Sequence, residues 1–467
     1  MNSAAHQTTD KAIDSVQQRF ADYAAGLRYE DLSADAVHAA TSRVIDTLGT
    51  LIGGYFGAPC ALARNLAAQM PCSGGATIVG TRMKTTPDMA AFVNATAARY
   101  VDMLDAYHWP GSYQGHPSDV VLPLLGVAEH AQSSGRDLIL AIVLAYEVFC
   151  RLCDVFKNED FDNTNFCCLG TAIAAGKLLH LTREQLAHCI AMAIVPNNML
   201  RQVRLGHLSM WKAVASGQAG RSGVFAAMLA RAGMEGPHLP FEGKAGWMAH
   251  VAKSRFAITT LGGNGVPFKI LDTRIKNRAA NGNTIASILA AEKVAPLDAG
   301  KVRQVTVEVY KHAKVGVGTG AHHWNPDSRE TANHSAPFNI AATLMDGTIT
   351  PRSFDDAHLW NADLRALMQK IEFVENEEFS KAYERTPVEH RARVTVITGN
   401  GERLVGETGA DEDDLSWPKS DAQFEQKFHG LTADTLGDER ASTLLARLWR
   451  LDEWQNCARI PPLFVLT

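Results

Sequence analysis

Long hydrophobic runs are missing from this 467-residue sequence, and so is any excess of positive charge. No segment is long and apolar enough to span a membrane, and the N-terminal stretch lacks the apolar centre of a secretory signal. The 45 basic and 50 acidic residues give a net charge of −5, which does not attract nucleic acid or an anionic membrane surface. We therefore expect a cytoplasmic protein that binds neither nucleic acid nor membrane.

Signature loops for common cofactors are also absent. No Gly-x-Gly-x-x-Gly opens a helix after a strand, and there is neither a Walker-type loop nor the Gly-x-Ser-x-Gly of a hydrolase elbow. Cys150 and Cys153 form a C-x-x-C, but no second pair follows, and their helical context favours packing over metal or redox chemistry. His322 and His323 lack a supporting carboxylate, which favours a loop role over a metal site. We expect no metal ion and no organic cofactor.

Apolar residues at helical spacing dominate the sequence from Asp10 to about Arg255, where the Gly- and Pro-containing stretch TTLGGNGVPF follows. Beyond it, 302–310 alternates as a half-buried strand does, and 392–408 contains two alternating runs joined by Gly-Asn-Gly. Helical periodicity returns from about Ser416. We therefore predict a mainly α fold. Its parts are a large all-α domain beginning with 1–266, a smaller inserted α+β domain over 267–412, and C-terminal helices over 413–467 that return to the first domain.

Carboxylates and imidazoles are concentrated around one loop that contains Gly, Pro and Ser. Asp102 and Asp105 are followed by His108 and His116. If the preceding helix continues, the two aspartates share one of its faces and point into one pocket. A solvated helix end with His116 before a turn proline fits the same spacing equally well.

Two basic clusters follow this loop. The first, RQVRLGHLSMWK, contains Arg204 and Lys212; arginines hold carboxylates bidentately, and a partly desolvated lysine acts as a point charge or an acid. Surface cations at a helix start are the alternative, and the residues alone favour it. The second cluster contains Arg274 and Lys276 and lies just past the domain boundary, where two-domain enzymes commonly bind ligands.

Several longer stretches, taken together and in order, resemble one protein family. They are VIDTLGTLIGG, DMLDAYH with GHPSD, LAYEV, KAVASGQAGRSG with FEGKAGW, and TANHSAPFNIAATLMDG. Over nearly its full length the sequence resembles the MmgE/PrpD family, which includes 2-methylcitrate dehydratase, cis-aconitate decarboxylase and iminodisuccinate epimerase. The resemblance implies a helical domain built from both chain ends, an α+β lid domain, a site between them, no metal or organic cofactor, and a homodimer.

The resemblance also implies which residues carry the chemistry. By position, the family's pocket aspartate corresponds to Asp102, its loop histidine to His116 and its pocket lysine to Lys212. The family's lid-domain lysine corresponds to Lys276, or alternatively to Lys269.

Two positions depart from the family pattern. A site histidine of several relatives corresponds to Asn163 here, or to Asp162 if a gap is allowed. A tyrosine that follows the His-Ser of the lid helix in some relatives is Phe338 here. If those groups transfer protons in the relatives, this chain lacks two of them, and a different substrate or reaction stays open.

We hypothesise that basic side chains clamp the carboxylates of a small polycarboxylic acid beside His116. In this hypothesis His116 moves the proton next to a carboxylate, Asp102 orients His116, and Lys212 stabilises the charge that develops. The predicted substrate-binding residues are Lys276, Arg204, Arg274, Asn163, Asp105, His108 and Phe338.

Three reactions share the resulting anionic intermediate. Dehydration of a 2-methylcitrate-like acid is predicted first because it needs the fewest additional groups, with epimerisation and decarboxylation as alternatives. A hypothesis of another class is an inactive homologue that binds carboxylates, motivated by Asn163 and Phe338. The presence of Asp102, His116 and Lys212 together favours an enzyme.

Overall fold

The computed structural model of the protein describes residues 13–411 and 413–466. Helices dominate these residues, which confirms the predicted mainly α fold class. None of the helices in these two ranges is both long enough and apolar enough to cross a bilayer. The helices of the first region are α1 Ser15–Gly26, α2 Ala34–Gly54, α3 Ala58–Ala67, α4 Pro87–Tyr100, α5 Val121–His130, α6 Gly135–Val155, α7 Thr164–Leu178, α8 Arg183–Ile194 and α9 Trp211–Arg231.

Glycines let the central helices of this region approach one another closely. Helix α9 packs against both α4 and α7. A Cβ at Gly217 would lie 2.5 Å from the carbonyl oxygen of Phe92 on α4, and a Cβ at Gly223 would lie 2.5 Å from that of Cys168 on α7. Because no side chain keeps these helices apart, α9 sits deep in the core and carries Lys212 there in its first turn.

An α+β unit follows the helical region. Its helices are α10 Ile285–Glu292, α11 Lys311–Ala313, α12 Ala321–Trp324, α13 Arg329–Ala332, α14 Ala336–Asp346, α15 Asp356–Leu359, α16 Ala362–Met368 and α17 Glu377–Glu384. Counted along the whole chain, the strands are β1 Pro71–Thr77, β2 Lys84–Thr85, β3 Val302–Val309, β4 Ile371–Glu375, β5 Ala392–Thr398 and β6 Arg403–Thr408.

The sheet of the α+β unit has the strand order β4–β3–β5–β6. Strand β3 runs parallel to β4 and antiparallel to β5, while β5 and β6 form an antiparallel hairpin. The strand predicted over 302–310 and the hairpin predicted over 392–408 are thus confirmed. Buried residues alternate along β3 and β5, because only one face of the sheet packs against helices such as α10.

Two further helices, α18 Asp421–Leu436 and α19 Asp438–Leu448, pack back on the helical region. Phe428 and Leu444 belong to the same hydrophobic core as Leu48 of α2. A second core lies in the α+β unit and includes Val305 and Ile340. The chain therefore leaves the helical core, builds another, and returns.

The segment 101–116 runs between the two cores. Met103 packs in the core of the α+β unit, whereas Leu104 packs in the helical core. Ala106 and Arg274 exchange two backbone hydrogen bonds, of 2.7 and 2.9 Å, which tie this segment to the start of the α+β unit. The loop singled out by its carboxylates and imidazoles is thus held from both sides.

The cysteine pair and the histidine pair singled out in the sequence both lie in helices. Cys150 and Cys153 are buried free thiols within α6, which confirms the packing role. His322 and His323 lie on the short helix α12, not in the loop that the sequence predicts. Across the described part of the chain, no three His, Cys, Asp or Glu side chains are grouped so as to hold a metal ion.

Candidate active site

A cavity of about 530 Å³ is lined by residues of both the helical region and the α+β unit. Its wall contains more basic and imidazole side chains than acidic ones. The former are Arg99, Lys157, Arg201, Arg204, His108, His116, His312 and His334, and the latter are Glu159 and Asp162. A cavity with this wall suits an anionic ligand.

The backbone turns sharply at the inner end of this loop. Helix α4 ends at Tyr100, and Asp102 then adopts the left-handed conformation with a φ of 56°. Aspartate is among the few residues other than glycine that tolerate this conformation. Because the helix does not continue to Asp105, the predicted shared helix face is wrong, and the two carboxylates have different partners.

Asp102 is the centre of a buried ion cluster. Its Oδ1 accepts hydrogen bonds from Lys276 Nζ at 2.7 Å and from Arg99 Nη1 at 2.9 Å. Its Oδ2 accepts one from Lys212 Nζ at 2.9 Å and lies 3.4 Å from His334 Nε2. The structure thus brings Asp102, Lys212 and Lys276 together, and a single carboxylate holds three cations.

The pKa values in this cluster follow from burial and from mutual charge. Burial alone would raise the pKa of Asp102, but Lys212, Lys276 and Arg99 outweigh it and hold that pKa well below its usual range. Burial lowers the pKa of Lys212 to about 7 and that of Lys276 to about 8, although Asp102 opposes both shifts. Lys212 therefore changes between its charged and neutral forms near neutral pH.

The ion cluster lies behind the cavity wall. Arg99 and His334 both line the cavity and contact Asp102, so they connect the cluster to the space where a ligand binds. Lys276, and not the alternative Lys269, belongs to the cluster. Lys269 does not line the cavity, and its Nζ bonds instead to Tyr107 Oη at 2.8 Å.

His116 lies on the cavity wall with a defined tautomer. Its Nδ1 is 2.7 Å from the carbonyl oxygen of Asp105. Because a carbonyl oxygen only accepts, Nδ1 donates its hydrogen there and Nε2 keeps the lone pair. Burial, reinforced by the charges of Arg99 and Lys276, holds the pKa of His116 well below its ordinary value. The prediction that Asp102 orients His116 is wrong, because the Asp105 backbone does so.

The side chain of Asp105 supports the loop and does not line the cavity. Its Oδ1 accepts a hydrogen bond from the Ser118 backbone N–H at 2.9 Å, and its Oδ2 accepts one from Tyr146 Oη at 2.8 Å. The guanidinium of Arg43 lies 3.6 Å away. The predicted substrate-binding role of Asp105 is therefore wrong: these bonds hold the peptide whose carbonyl positions His116.

Arg204 and Asn163 line the cavity and carry unpartnered buried atoms. Arg204 Nε pairs with Asp162 Oδ2 at 3.1 Å, and its Nη1 donates to the Lys212 carbonyl at 3.0 Å. Its Nη2 has no partner among the described residues, and neither has Asn163 Oδ1. A ligand that offers both an acceptor and a donor would satisfy these atoms.

His108 belongs to a second, uncharged cluster. Its Nε2 lies 3.1 Å from Tyr383 Oη and its Nδ1 lies 3.2 Å from His390 Nε2. His312 is next to it on the cavity wall, with ring centroids 6.1 Å apart. Burial holds the pKa of His108 well below its ordinary value and lowers that of His390 to about 3. These rings are therefore neutral near pH 7.

Two predicted substrate-binding residues lie away from the cavity. Arg274 Nη1 donates to the Thr273 carbonyl at 3.2 Å, and its guanidinium covers the ring of Trp109. Phe338 is fully buried and stacks on Phe354, with ring centroids 5.8 Å apart. The predictions for Arg274 and Phe338 are wrong because local packing occupies both side chains.

Among the wall residues that sequence reasoning missed, Arg99 and His334 are the two that contact Asp102. Arg99 is a lone cation in an apolar helix, three residues before Asp102, and this spacing is the signal of a buried ion pair. His334 lies within TANHSAPFN, directly before the Ser335 that caps α14. The signal that could have found it is this position at the start of a helix, which His334 shares with His116.

Comparisons with known proteins find relatives whose sequences align with most of the chain. Cis-aconitate decarboxylase of Homo sapiens is 24% identical over 477 residues, which cover 96% of this chain and 94% of the relative. 2-Methylcitrate dehydratase of Escherichia coli (strain K12) is 23% identical over 392 residues, 80% of each chain. The mitochondrial 2-methylcitrate dehydratase of Yarrowia lipolytica is 23% identical over 439 residues, 90% of this chain and 81% of the relative.

Family models give the broader assignment. The model of the MmgE/PrpD N-terminal domain matches residues 18–258, and that of the MmgE/PrpD C-terminal domain matches residues 280–451. These two ranges carry the helical region and the α+β unit whose residues line the cavity. The chain therefore belongs to the MmgE/PrpD family.

Proposed function

We propose that the chain is a cofactor-independent lyase that removes water from a small polycarboxylic acid of the 2-methylcitrate type. Similarity to several 2-methylcitrate dehydratases supports this reaction type. The excess of basic side chains in the cavity wall supports a substrate with more than one carboxylate. The homodimer and the cytoplasmic location stay predictions.

The observation that carries the proposal is the state of His116. A neutral imidazole with Nδ1 fixed on a carbonyl and a lone pair at Nε2 is a general base. His334 has no such free lone pair, because its Nε2 faces Asp102 Oδ2 and its Nδ1 faces Asn281 Nδ2, each at 3.4 Å. His116 is therefore the base in this proposal.

Positive charge near the base stabilises the intermediate. Removing a proton next to a carboxylate creates an enolate-like anion, and fixed cations in a buried site lower its energy. Arg99 and Arg204 supply such charge on the wall, and Lys212 supplies it from behind. Arg204 Nη2, with no partner of its own, is the group best placed to hold a substrate carboxylate.

The proposed reaction balances without a co-reactant. The C–H bond next to the carboxylate breaks, and His116 Nε2 takes the proton. The electron pair forms a carbon–carbon double bond as the C–O bond of the neighbouring hydroxyl group breaks. The leaving hydroxide takes the proton from protonated His116 and departs as water, so His116 is neutral again and the product is an unsaturated acid.

Decarboxylation of a cis-aconitate-type acid is the second candidate. A cis-aconitate decarboxylase aligns over 96% of this chain. In that reaction a carbon–carbon bond breaks, carbon dioxide leaves, and the carbanion takes a proton from an acid. The low pKa of His116 suits a base better than an acid, so dehydration is the first candidate.

Proton NMR in heavy water tests the proposal. The purified chain is incubated separately with 2-methylcitrate, citrate, cis-aconitate and a succinate-type amino acid precursor, without added cofactor. We expect loss of water from the 2-methylcitrate-type acid. Release of carbon dioxide would favour the second candidate, and inversion with deuterium uptake would favour an epimerase.

Two variants assign the activity to the cavity. We expect His116→Ala to fold normally and to lose turnover by roughly 10²-fold or more, the usual contribution of a positioned base. His130→Ala, on α5 and outside the cavity wall, is the matched control and should keep full turnover. If no acid reacts with the unaltered chain but one binds, the hypothesis of an inactive carboxylate-binding homologue replaces the proposal.

A further inference from the structure

The C-terminal helix α18 reaches the site because it packs closely on α2. A Cβ at Gly49 would lie 3.1 Å from Phe428 Cδ2, and a Cβ at Gly53 would lie 2.8 Å from Leu431 Cδ2. Glycine at both positions removes the side chains that would hold the two helices apart. Next to Phe428, Lys427 points into the interior, where its side chain is only 4% exposed.

Lys427 has two buried partners. Its Nζ donates to the carbonyl oxygen of Met103 at 2.6 Å and lies 2.6 Å from Asp46 Oδ1 on α2. A hydrogen bond from an ammonium group to a carbonyl is charge-assisted and is among the stronger bonds in a protein. A lysine near the C-terminus is thus bonded to the backbone of the loop that carries the ion cluster.

The Met103 carbonyl is next to the strained residue of this loop. A residue in the left-handed region keeps that conformation only where surrounding contacts fix it. The Asp102 N–H bonds to the Arg99 carbonyl at 3.2 Å, which fixes the turn on one side. On the other side, the bond to Lys427 fixes it.

We propose that Lys427 is a positioning residue: by holding the Met103 carbonyl, it keeps Asp102 in the turn that places its carboxylate between Lys212 and Lys276. Lys427 does not line the cavity, so it acts through Asp102. Its effect on turnover rests on the proposed function, whereas its effect on the ion cluster does not.

The test separates positioning from stability. Lys427→Met alone leaves Asp46 buried without its cation, which lowers stability whatever else the lysine does. Combining Lys427→Met with Asp46→Leu replaces the buried pair by apolar side chains, an exchange that often leaves stability unchanged. We expect the double variant to keep a Tm near that of the unaltered chain. Its kcat should fall roughly 10- to 100-fold, with a smaller change in KM, because Asp102 is displaced.

A second readout needs no substrate. In a protein with ¹³C-labelled lysine, NMR follows the pKa of Lys212, which burial lowers to about 7 in the unaltered chain. The charged and titratable groups that act on Lys212 are Asp102, Arg99, Arg204 and His334, and Lys276 shares the Asp102 carboxylate with Lys212. If Asp102 moves away in the double variant, Lys212 loses its carboxylate and its pKa falls further. The signal is assigned by its disappearance in Lys212→Arg.

Two further variants complete the test. Arg352→Met is the matched control. It removes an exposed ion pair with Asp434, which lies on α18 as Lys427 does, so neither readout should change. Lys427→Gln keeps a donor for Met103 and loses the charge, and it should retain the Lys212 titration of the unaltered chain.

Each result decides the proposal. An unchanged kcat or an unchanged Lys212 titration in the double variant would overturn it, as would a shifted titration in Lys427→Gln. If the double variant does not fold, Lys427→Met alone takes its place: a Lys212 pKa below that of Lys427→Gln would support the proposal, and an equal one would overturn it. If the unaltered chain turns over none of the acids, the proposed function fails separately, and the titration still tests the position of Asp102.

Discussion

Two buried polar clusters lie next to the cavity, and they differ in charge: one holds ionised side chains, and the other holds neutral ones. Around Asp102, one carboxylate holds Lys212, Lys276 and Arg99, so the cluster keeps charge out of water. Around His108, the partners are Tyr383 and His390, and burial keeps the imidazoles neutral. The charged cluster should therefore respond strongly to pH and to loss of one member. The neutral cluster should contribute shape and hydrogen bonds with little dependence on pH.

The largest effect that distinguishes the clusters is expected from Asp102→Asn. This change leaves buried cations without their carboxylate, and breaking a buried ionic cluster in this way costs about 3–5 kcal/mol of the free energy of unfolding. Urea denaturation at pH 7 measures it. A loss below about 1 kcal/mol would show that the cations find other partners. The charged and the neutral cluster would then not differ in their response to the loss of one member.

The same variant has a predictable pH dependence. Burial lowers the pKa of Lys212 and of Lys276 in the folded chain below the ordinary lysine value. At a pH between these two values, the unfolded chain therefore binds more protons than the folded chain does. Stability contributed by these lysines therefore rises with pH through that window. Without Asp102 the folded pKa values fall further, and the loss of stability should be larger at pH 6 than at pH 9. The opposite trend would contradict the assigned cluster.

A smaller effect is expected in the pH profile of turnover. Because the pKa of Lys212 is about 7, kcat/KM should fall about tenfold per pH unit above that value if its positive charge is needed. The pKa of His116 lies well below its ordinary value, so no acid limb is expected between pH 6 and pH 7. Lys212→Arg stays charged and should abolish the fall near pH 7. A fall at the same pH in that variant would exclude Lys212 as its cause.

The smallest effect is expected in the neutral cluster. Tyr383→Phe removes the hydroxyl group that meets His108 Nε2 and should cost about 1 kcal/mol of the free energy of unfolding. Because the imidazoles there are neutral, this cost should be the same at pH 6 and at pH 9. Thermal and urea denaturation at both pH values measure this cost. Phe379→Leu, in the same helix α17, is the control variant. A strong pH dependence would mean that this cluster also carries charge.

The elements that the sequence predicted well are those whose pattern is local. Strand β3 and the hairpin of β5 and β6 follow from alternation along the chain, and their one-sided burial is the reason for that pattern. The membership of Asp102, Lys212 and Lys276 in one site came instead from resemblance. From spacing alone, a solvated position of Asp102 was equally good, and a surface position of Lys212 was favoured.

The direction of a loop side chain could not be predicted, because it depends on distant partners. Asp105 turns away from the cavity because Tyr146 and Ser118 take its carboxylate, and both contacts exist only in the folded chain. Lys427 was missed for a similar reason. A lysine in an amphipathic helix is normally at the surface, and only the close approach of α18 to α2 makes it a buried partner of the loop.

The return of α18 to the helical core also sets an order of events during synthesis. A ribosome delivers α2 early and α18 only after the whole α+β unit. Until residues 421–436 emerge, the face of α2 that carries Gly49 and Gly53 has no partner, and the Met103 carbonyl has no ammonium group. The inserted unit can form its own core during that interval. The loop that carries Asp102 must wait for α18, so a product stalled before α18 would have both cores largely formed but would lack the bond between Lys427 and the Met103 carbonyl.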